Sequence, residues 1–408
     1  MKRILLPLLT AVLSLGACST PAQSPAIPRF ADLDLVGYYH REPRVWSAER
    51  FGPHVSFVDS AGQERWLFEA FLFIEAQDPV RGLTMSVAPE GHSARRVSWE
   101  DQLQLWLGPD GGVAHLDQAV AAAAARIGEP PRKRSVVITV PDAILLEHFA
   151  DKASSTRYWG RLDDGRELDF AAVEDQLAAL RWYVDRARTM FAGLDCRYLS
   201  LDGFYVVSED LPVAYGETEA ERLNCAYKRW ETIVPALSDY CHAAGQGLYW
   251  IPYHLAPGYR YWLRLGFDQA WMQPNFYWDL HKPEAHPFDK TLEAVRDYGM
   301  GMELEFEYSA VASVMREVGE GPDGSGKMVF TEADVPALKE QFRTYLRRFK
   351  EAGLYGVAPL ALYSGSDALT QLATSPYPED HALYLELCQF ITASPLRSSE
   401  PRPTMEAN

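Results

Sequence analysis

Eight short apolar runs alternate with helical stretches along most of the chain, and this alternation limits the possible folds more than any other feature. The runs cover residues 35–39, 67–75, 135–141, 198–205, 248–254, 269–276, 301–307 and 356–363. Most are continuously apolar, which is typical of strands covered on both faces. Alternating strands and helices imply parallel strands joined by helical crossovers. We therefore predict an α/β fold, a single-domain (β/α)8 TIM-like barrel with long loops, over residues 31–392.

The segments between the runs support this arrangement. The predicted helices cover residues 99–107, 116–127, 173–192, 217–244, 259–265, 288–298, 331–352 and 380–390. Residues 41–66 resemble a small β insertion after the first strand. A doubly wound sheet is the alternative, but it usually has a glycine-rich phosphate turn after its first strand, and residues 37–40 contain none.

The amino-terminal residues form an export sequence. A basic start is followed by the apolar run 4–15, and the stretch Leu15-Gly16-Ala17-Cys18 resembles a bacterial lipobox. We expect a signal peptide at residues 1–17, lipidation of Cys18, and a tether at 18–30. Ser19 after the cysteine predicts the outer membrane of a Gram-negative cell, on its periplasmic or its surface side. A plain secretory signal is the alternative. Residues 393–408 are polar and Pro-rich, and we expect them to be disordered.

Charge and cysteine content exclude several classes of partner. The chain has 39 basic and 56 acidic residues, a net charge of −17, which argues against a nucleic-acid or anionic-surface partner. We expect membrane contact only through the lipid anchor. Four cysteines follow the signal, without a CxxC motif, and we expect mostly buried thiols, with one disulfide possible: Cys196, Cys225, Cys241 and Cys388.

Three glutamates alternate with apolar residues in the stretch 301–308. If this stretch is a strand, Glu303, Glu305 and Glu307 share one face. Burying unpaired carboxylates in a plain core is costly, so a cavity or cleft mouth is favoured over a core position. A solvated edge strand is the alternative. Because barrel active sites lie at the carboxyl ends of the strands, Glu305 or Glu307 is favoured for chemistry and the deeper Glu303 for a structural role.

Glu209 follows the fourth predicted strand and is the second acidic position of interest. Two facing carboxylates permit glycosidic hydrolysis, in which one protonates the leaving oxygen and the other attacks the sugar or activates water. We predict Glu209 as acid/base and Glu305 as nucleophile, with Glu307 and Glu303 as the next candidates. This placement resembles a group of retaining barrel glycosidases, which implies retention. A merely solvated Glu209 is the alternative.

The predicted strand ends are rich in aromatic, amide and acidic side chains and contain almost no Lys or Arg. Aromatic rings suit the apolar faces of sugars, whereas a phosphate ligand would require basic groups or a glycine nest. We therefore expect an oligo- or polysaccharide substrate. The predicted substrate-binding residues are Tyr38, Tyr39, Glu69, Asp202, Tyr205, Tyr253, His254, Gln273, Asn275 and Tyr363.

No metal or cofactor is predicted. His281, His286 and Asp289 have a loose metal-like spacing, but Pro283 and Pro287 interrupt it. No GxSxG motif is present to indicate a serine nucleophile.

Several of these segments, in this order, resemble an uncharacterised bacterial family known as DUF4855. The resemblance rests on residues 66–73, on 201–205 with Glu209, and on 250–254, 266–268, 273–275 and 301–306. It extends over roughly residues 35–390, and it implies a barrel-like fold and an exported bacterial protein. It implies no substrate.

The sequence therefore predicts an exported lipoprotein that hydrolyses glycosides without a cofactor. Two other functions are compatible with the same residues. One is a non-catalytic glycan-binding lipoprotein that uses the same aromatic cleft. The other is a metal-dependent carbohydrate deacetylase.

Overall fold

The structure is a computed structural model, and part of the chain is described in it. The described residues are 27–36, 46–78, 80–86, 92–145, 155–213, 215, 229–322, 329–365 and 367–398. Cys18, Tyr38, Tyr39 and Cys225 lie outside these residues, so the predictions that concern them stay predictions.

Eight parallel strands close into a barrel, which confirms the predicted fold class. They are β1 (Asp32–Val36), β2 (Ala70–Phe73), β3 (Arg134–Val140), β4 (Leu199–Val206), β5 (Gly247–Trp250), β6 (Gln269–Met272), β7 (Gly301–Glu305) and β8 (Leu360–Tyr363). Each strand pairs with its neighbours in chain order, and β8 pairs with β1 to close the barrel. Most of the strands are shorter than predicted, which matters below for the positions of several side chains.

In the described part of the chain, ten helices surround the barrel. They are α1 (Ala48–Val55), α2 (Arg96–Leu107), α3 (Gly112–Ile127), α4 (Val173–Gly193), α5 (Trp230–His242), α6 (Phe288–Tyr298), α7 (Ala312–Val318), α8 (Val335–Glu351), α9 (Ala368–Thr374) and α10 (Pro378–Thr392). The insertion predicted after β1 contains α1 and an antiparallel hairpin of Ser56–Val58 and Glu64–Trp66. A second hairpin joins Glu320–Pro322 to Val329–Thr331. The predicted helix 259–265 is instead a short 3-10 turn, Tyr259–Tyr261.

Local sequence explains where two of the helices near the site begin and end. Thr331 and Asp334 form a reciprocal capping box just before α8, with the Thr331 N–H donating to Asp334 Oδ2 over 2.8 Å. Pro336 in the first turn of α8 has no N–H to leave unsatisfied. Helix α6 ends at Gly299, whose φ of 62° lies in the left-handed region that glycine adopts most readily.

The barrel has an inner and an outer core. The inner core is formed by residues that point toward the barrel axis: Phe30, Leu33, Leu35, Ala70, Leu72, Val137, Tyr205, Tyr249, Ile251, Trp271 and Ala361. The outer core lies between strands and helices and includes Met302, Leu304 and Phe306. Strand alternation therefore turns Glu303 and Glu305 inward, as the sequence predicts.

The segment before β1 closes the end of the barrel at which the strands begin, which we call the lower end; the upper end is the one at which the strands end. Phe30 belongs to the inner core, and its N–H donates to Gln269 Oε1 over 2.7 Å. The Gln269 Nε2 group donates back to the Phe30 carbonyl over 2.9 Å. These two bonds attach the amino-terminal segment to the first residue of β6.

The predicted disordered tail begins too early in the sequence. Residues Pro395–Ser398 form a 3-10 turn, and the Arg397 guanidinium lies 3.3 Å from Asp32 Oδ2 and 3.6 Å from Glu69 Oε1. This residue partly neutralises two buried carboxylates at the lower end of the barrel, which explains why the segment is ordered. Residues 399–408 lie outside the described part of the chain.

Two further observations concern sulfur chemistry and membranes. Cys196, Cys241 and Cys388 are free thiols, and the last two are buried. In the described ranges, no helix combines the length and the apolar character required to span a bilayer.

Candidate active site

Three glutamates converge near the carboxyl ends of the strands. Glu303 and Glu305 lie on the inner face of β7, and Glu209 lies three residues beyond the end of β4. The loop 273–275 contacts Glu209 through the Gln273 side chain and Glu305 through the Asn275 N–H. Because Glu303 and Glu305 share one strand face, the three side chains form one cluster, which we call the carboxyl cluster.

Glu305 is buried and accepts two hydrogen bonds. The hydroxyl of Tyr345 on α8 donates to Glu305 Oε2 over 2.7 Å, and the backbone N–H of Asn275 donates to the same carboxylate. The Tyr345 hydroxyl itself accepts the backbone N–H of Tyr277 over 2.7 Å. Burial raises the pKa of Glu305 to about 8, while the two donors lower it. Of the two strand carboxyls, Glu305 is therefore better stabilised as an anion.

Glu303 has a different environment. Only 2% of the residue is exposed, and its Oε1 atom has no hydrogen-bond partner among the described residues. Burial raises the pKa of Glu303 well above its ordinary value, and the charges of Glu305 and Glu209 raise it further. Glu303 therefore has a much higher affinity for a proton than an exposed glutamate.

Glu209 is the solvent-accessible member of the carboxyl cluster. The Gln273 side-chain amide donates to Glu209 Oε1 over 3.0 Å. Crowding by the surrounding protein reduces the hydration of the carboxyl and raises its pKa, an effect that the Gln273 hydrogen bond partly offsets. Glu209 thus combines access to solvent with an increased affinity for a proton.

The loop 273–275 contacts both Glu209 and Glu305. Gln273 reaches Glu209 with its side chain, and Asn275 reaches Glu305 with its backbone N–H. Asn275 has a φ of 54°, which is uncommon for a residue with a side chain and is tolerated best by asparagine and aspartate. The Gln273 N–H donates to the carbonyl of Pro252 beyond β5, which holds the loop against the neighbouring strand end.

Aromatic and acidic side chains surround this cluster. Tyr205 is buried on the inner face of β4, and burial followed by the charges of Glu209 and Glu303 raises its pKa. The half-buried Tyr253 has its pKa raised by burial and by the charges of Asp210 and Glu209. The negative charge of Asp142 also raises the pKa of Tyr205. Asp142 follows β3 and accepts a hydrogen bond from the Ser208 hydroxyl.

The structure thus brings together seven of the predicted site residues: Glu209, Glu303, Glu305, Tyr205, Tyr253, Gln273 and Asn275. Glu307 lies apart from them. Its carboxyl accepts a hydrogen bond from Tyr363 at the end of β8, and burial raises its pKa to about 7. The strand ends at Glu305, so strict alternation no longer sets the direction of Glu307.

Glu69 and Asp202, two of the predicted substrate contacts, lie toward the opposite, amino-terminal end of the barrel and are not part of the carboxyl cluster. Glu69 precedes β2, its N–H donates to Asp32 Oδ1 over 2.7 Å, and its carboxylate pairs with Arg132. Asp202 occupies a β-bulge in β4 and accepts a hydrogen bond from Ser135 near the start of β3. Strand β2 begins only after Glu69, and the bulge places Asp202 against Ser135. Neither side chain therefore lies at the carboxyl ends of the strands.

His254, another predicted substrate contact, faces a helix instead of the carboxyl cluster. Its Nδ1 atom lies 3.0 Å from Thr291 Oγ1 on α6, and its ring meets His286 edge-on. Burial and the neighbouring His286 lower the pKa of His254 to about 4. It is therefore a neutral imidazole that packs α6 against the end of β5.

The loosely spaced metal candidates have separate partners. His286 contacts Asp279 at 2.9 Å, His281 contacts Asp334 at 3.4 Å, and Asp289 pairs with Arg348. Within the described ranges, no group of three His, Cys, Asp or Glu side chains is arranged to hold a metal ion.

Sequence reasoning missed Tyr345 and did not select Asp142. Tyr345 lies on an amphipathic helix among buried aromatic residues, where a tyrosine is expected to be part of the core, and its contact with Glu305 has no sequence signature. Asp142 had a usable signal, because it directly follows a predicted strand at the end of the barrel that carries the site.

The fold and site together define a (β/α)8 barrel protein with an acidic cluster near the carboxyl ends of its strands. A family described as "Domain of unknown function (DUF4855)" matches residues 32–318, and the chain belongs to this family. The matched region contains β1 to β7 and the whole carboxyl cluster. A search of curated protein sequences finds no significant match.

Solved structures that resemble this chain at low identity include the following three proteins. An amidohydrolase is 14% identical, with 90% of this chain and 72% of that chain covered and a TM-score of 0.39. A chitinase from Chromobacterium violaceum ATCC 12472 is 11% identical, with 89% and 99% covered and a TM-score of 0.36. An uncharacterised protein is 11% identical, with 90% and 70% covered and a TM-score of 0.33.

Proposed function

We propose that this protein is a glycoside hydrolase in which Glu209 is the acid/base and Glu305 is the nucleophile. The observation that carries this proposal is the loop 273–275, which hydrogen-bonds to an accessible carboxyl on one side and to a buried carboxyl on the other. Such a loop fixes the two groups relative to each other, and a glycosidase requires a fixed separation between its two acids.

The environments of the two carboxyls suit different roles. Crowding increases the affinity of Glu209 for a proton, and solvent access lets it donate that proton to a leaving oxygen and then activate water. Burial raises the pKa of Glu305 to about 8, so its nucleophilic carboxylate forms as the pH rises toward 8. Tyr345 and Asn275 stabilise the negative charge with which Glu305 then attacks the anomeric carbon. Attack by Glu305 forms a glycosyl-enzyme, which water hydrolyses with retention of configuration.

The substrate is a glycan. The half-buried Tyr253 lies beside the carboxyl cluster and supplies aromatic surface for sugar faces, whereas Tyr205 is buried beneath it. Tyr363, at the end of β8, is partly exposed and is proposed as a further aromatic contact. Tyr38 and Tyr39, which follow β1 in the sequence, are proposed to contribute as well.

Oligosaccharide cleavage tests this function. The wild type is incubated with a panel of neutral and amino-sugar oligosaccharides, and Glu209→Gln and Glu305→Gln are compared with Glu340→Gln, a surface substitution on α8. We expect cleavage by the wild type and the control. The anomeric proton signal in NMR spectra should show that the first-formed product has the same anomeric configuration as the substrate. Full turnover by both site variants would refute the roles given to Glu209 and Glu305.

Two other outcomes identify the alternative functions. Sugar binding without cleavage of any substrate would indicate a glycan-binding lipoprotein. Release of acetate that is abolished by a chelator would indicate a metal-dependent deacetylase.

We also propose that the protein is exported, anchored through a lipid on Cys18 and located at the outer membrane of a Gram-negative cell. The residues Leu15-Gly16-Ala17-Cys18 support this proposal. Fractionation of cells that express the wild type or Cys18→Ala tests it, since loss of the lipid should move the protein from the membrane to the soluble fraction. An unchanged membrane fraction for Cys18→Ala would contradict the anchor.

A further inference from the structure

The carboxyl cluster has no positively charged partner among the described residues. Glu209 receives a hydrogen bond from an amide side chain, and Glu305 receives one from a backbone N–H and one from a phenol. No described Lys or Arg pairs with either of them or with Glu303. Buried acids usually have a basic partner or a full set of donors, because an uncompensated charge in a protein interior is costly.

Two buried acids elsewhere in this protein follow that usual pattern. Asp380 pairs with the buried ammonium of Lys339 on α8 and also accepts two backbone N–H groups. Asp34 lies 2.6 Å from the imidazole of His54. The folded chain therefore provides basic partners for acids in its outer layer and, in the described ranges, provides none for the carboxyl cluster.

Glu303 is the member of the cluster that the proposed mechanism does not use. Its Oε1 atom is an acceptor without a partner in the described structure, inside a residue of which only 2% is exposed. It lies two residues before Glu305 on the same strand face, hence about 7 Å deeper in the barrel. Glu303 is therefore the next carboxyl below Glu305 on the inner face of β7.

We propose that the site binds a glycan with a free, positively charged amino group, and that Glu303 is the counter-ion of this ammonium. The inference rests on the proposed glycosidase function and names its substrate class, a polymer that contains unacetylated hexosamine. An ammonium donates up to three hydrogen bonds, so it would satisfy Glu303 Oε1 and add the positive charge that the cluster lacks.

In this arrangement, binding of an ammonium group is coupled to loss of a proton from the carboxyl cluster. The groups that face Glu303 are Glu305 on its own strand, Glu209 beyond β4, Tyr205 on β4 and Tyr345 on α8, and none of them carries positive charge. A bound ammonium favours the ionised carboxylate, so binding an amino sugar at about pH 6 should release a proton from the cluster. A neutral sugar has no such effect.

Calorimetric titration tests the proposal. Glu209→Gln, which blocks turnover, is titrated with three oligosaccharides of equal length, built from glucosamine, N-acetylglucosamine or glucose, in two buffers of different ionisation enthalpy. We expect the glucosamine oligomer to bind at least tenfold more tightly than the other two, with proton release for this ligand alone. Adding Glu303→Gln should remove both effects, whereas adding Glu340→Gln should remove neither.

The outcomes separate this inference from the proposed function. Equal affinity for the three oligomers, or a preference that persists in the Glu303→Gln background, would overturn the ammonium site even if the wild type cleaves glycans. Selective, Glu303-dependent binding by a wild type that cleaves nothing would retain the ammonium site and refute the hydrolase. Thermal melts of each variant show that the differences arise in folded protein.

Discussion

The two ends of the barrel each hold a group of buried carboxyls, and the chain treats the two groups differently. At the lower end, Asp32 and Glu69 lie among Arg132, Arg134 and Arg397. At the upper end, the carboxyl cluster has no described basic partner. The lower group is a network of ion pairs with arginines. In the upper group, Glu303 Oε1 has no described hydrogen-bond partner and no described cation offsets the negative charge.

The pKa values quantify this difference. Burial raises the pKa of Asp32 to about 6, and Arg397 offsets part of that effect. Burial raises the pKa of Glu305 to about 8, where only neutral donors oppose it. The comparison shows that nearby arginines keep the pKa of a buried carboxyl closer to its ordinary value, whereas neutral donors alone leave the pKa of Glu305 higher.

Replacement of the proposed nucleophile should give the largest effect. Glu305→Gln should reduce turnover on the order of a thousandfold or more, because the amide cannot attack the sugar. The same variant should be more stable than the wild type at alkaline pH. The folded protein holds a proton on Glu305 up to about pH 8, whereas the unfolded chain releases it near pH 4.5, so wild-type stability falls as pH rises between these values.

Urea denaturation at pH 4 and pH 9 measures this second effect. The stability advantage of Glu305→Gln should be near zero at pH 4 and on the order of a few kcal/mol at pH 9. An advantage that does not grow with pH would show that Glu305 is not a protonated buried acid.

At the lower end, removal of a cation should destabilise the fold. Arg397→Ala leaves Asp32 and Glu69 with less compensation and should decrease the free energy of unfolding by about 3 kcal/mol. Arg343→Ala removes a more exposed pair with Glu386 and should cost about 1 kcal/mol or less. Chemical denaturation at pH 7 compares the two, and equal losses would show that the lower network contributes no more than a surface pair.

Removal of one donor from the carboxyl cluster should have a smaller effect. Tyr345→Phe keeps the ring between Phe276 and Phe288 but removes the hydroxyl that donates to Glu305. We expect kcat/KM to fall about tenfold, or about 1.4 kcal/mol. The acidic limb of the pH–rate profile should move to higher pH, because the Glu305 anion loses stabilisation.

A matched control separates this tuning from simple loss of a hydrogen bond. Tyr355→Phe removes a hydroxyl that donates to the Phe390 carbonyl in the outer layer, and it should leave the pH–rate profile unchanged. A Tyr345→Phe profile that coincides with the wild type would assign Tyr345 to packing alone.

The smallest effect should come from the backbone of the loop 273–275. Asn275→Ala places an alanine at a φ of 54° and should decrease the free energy of unfolding by about 1 kcal/mol. The free energy of unfolding of Asn275→Gly should differ from the wild type by only about 0.3 kcal/mol. Thermal melts compare the two variants. If the glycine variant is the less stable of the two, then the Asn275 side chain and not its backbone conformation determines the effect.

Sequence predicted the parts of this protein that depend on pattern. Continuous apolar runs identified all eight strands, because parallel strands under helices are buried on both faces. Period-two alternation placed Glu303 and Glu305 on the inner face of β7, and the position beyond β4 identified Glu209. These features depend on residues near in sequence, which a single chain reveals.

The remaining features depend on where strands begin, bend and end. Glu69 precedes β2 by one residue, Asp202 falls in a bulge, and Glu307 lies beyond the last residue of β7. The predicted strand limits and strict alternation therefore do not determine where these three side chains lie. The contact of Tyr345 with Glu305 joins positions 40 residues apart and depends on helix packing. No local pattern encodes such a contact.

The closure of the barrel by Phe30 also has a mechanical consequence. Phe30 is bonded to Gln269, the first residue of β6, and the loop that holds both proposed acids follows the last residue of the same strand. A pulling force on the amino-terminal segment would thus act on Gln269 and, through the four residues of β6, on the loop 273–275. A short strand that is paired on both sides is stiff along its axis, so a protein held by its amino terminus would transmit strain to the separation of Glu209 and Glu305.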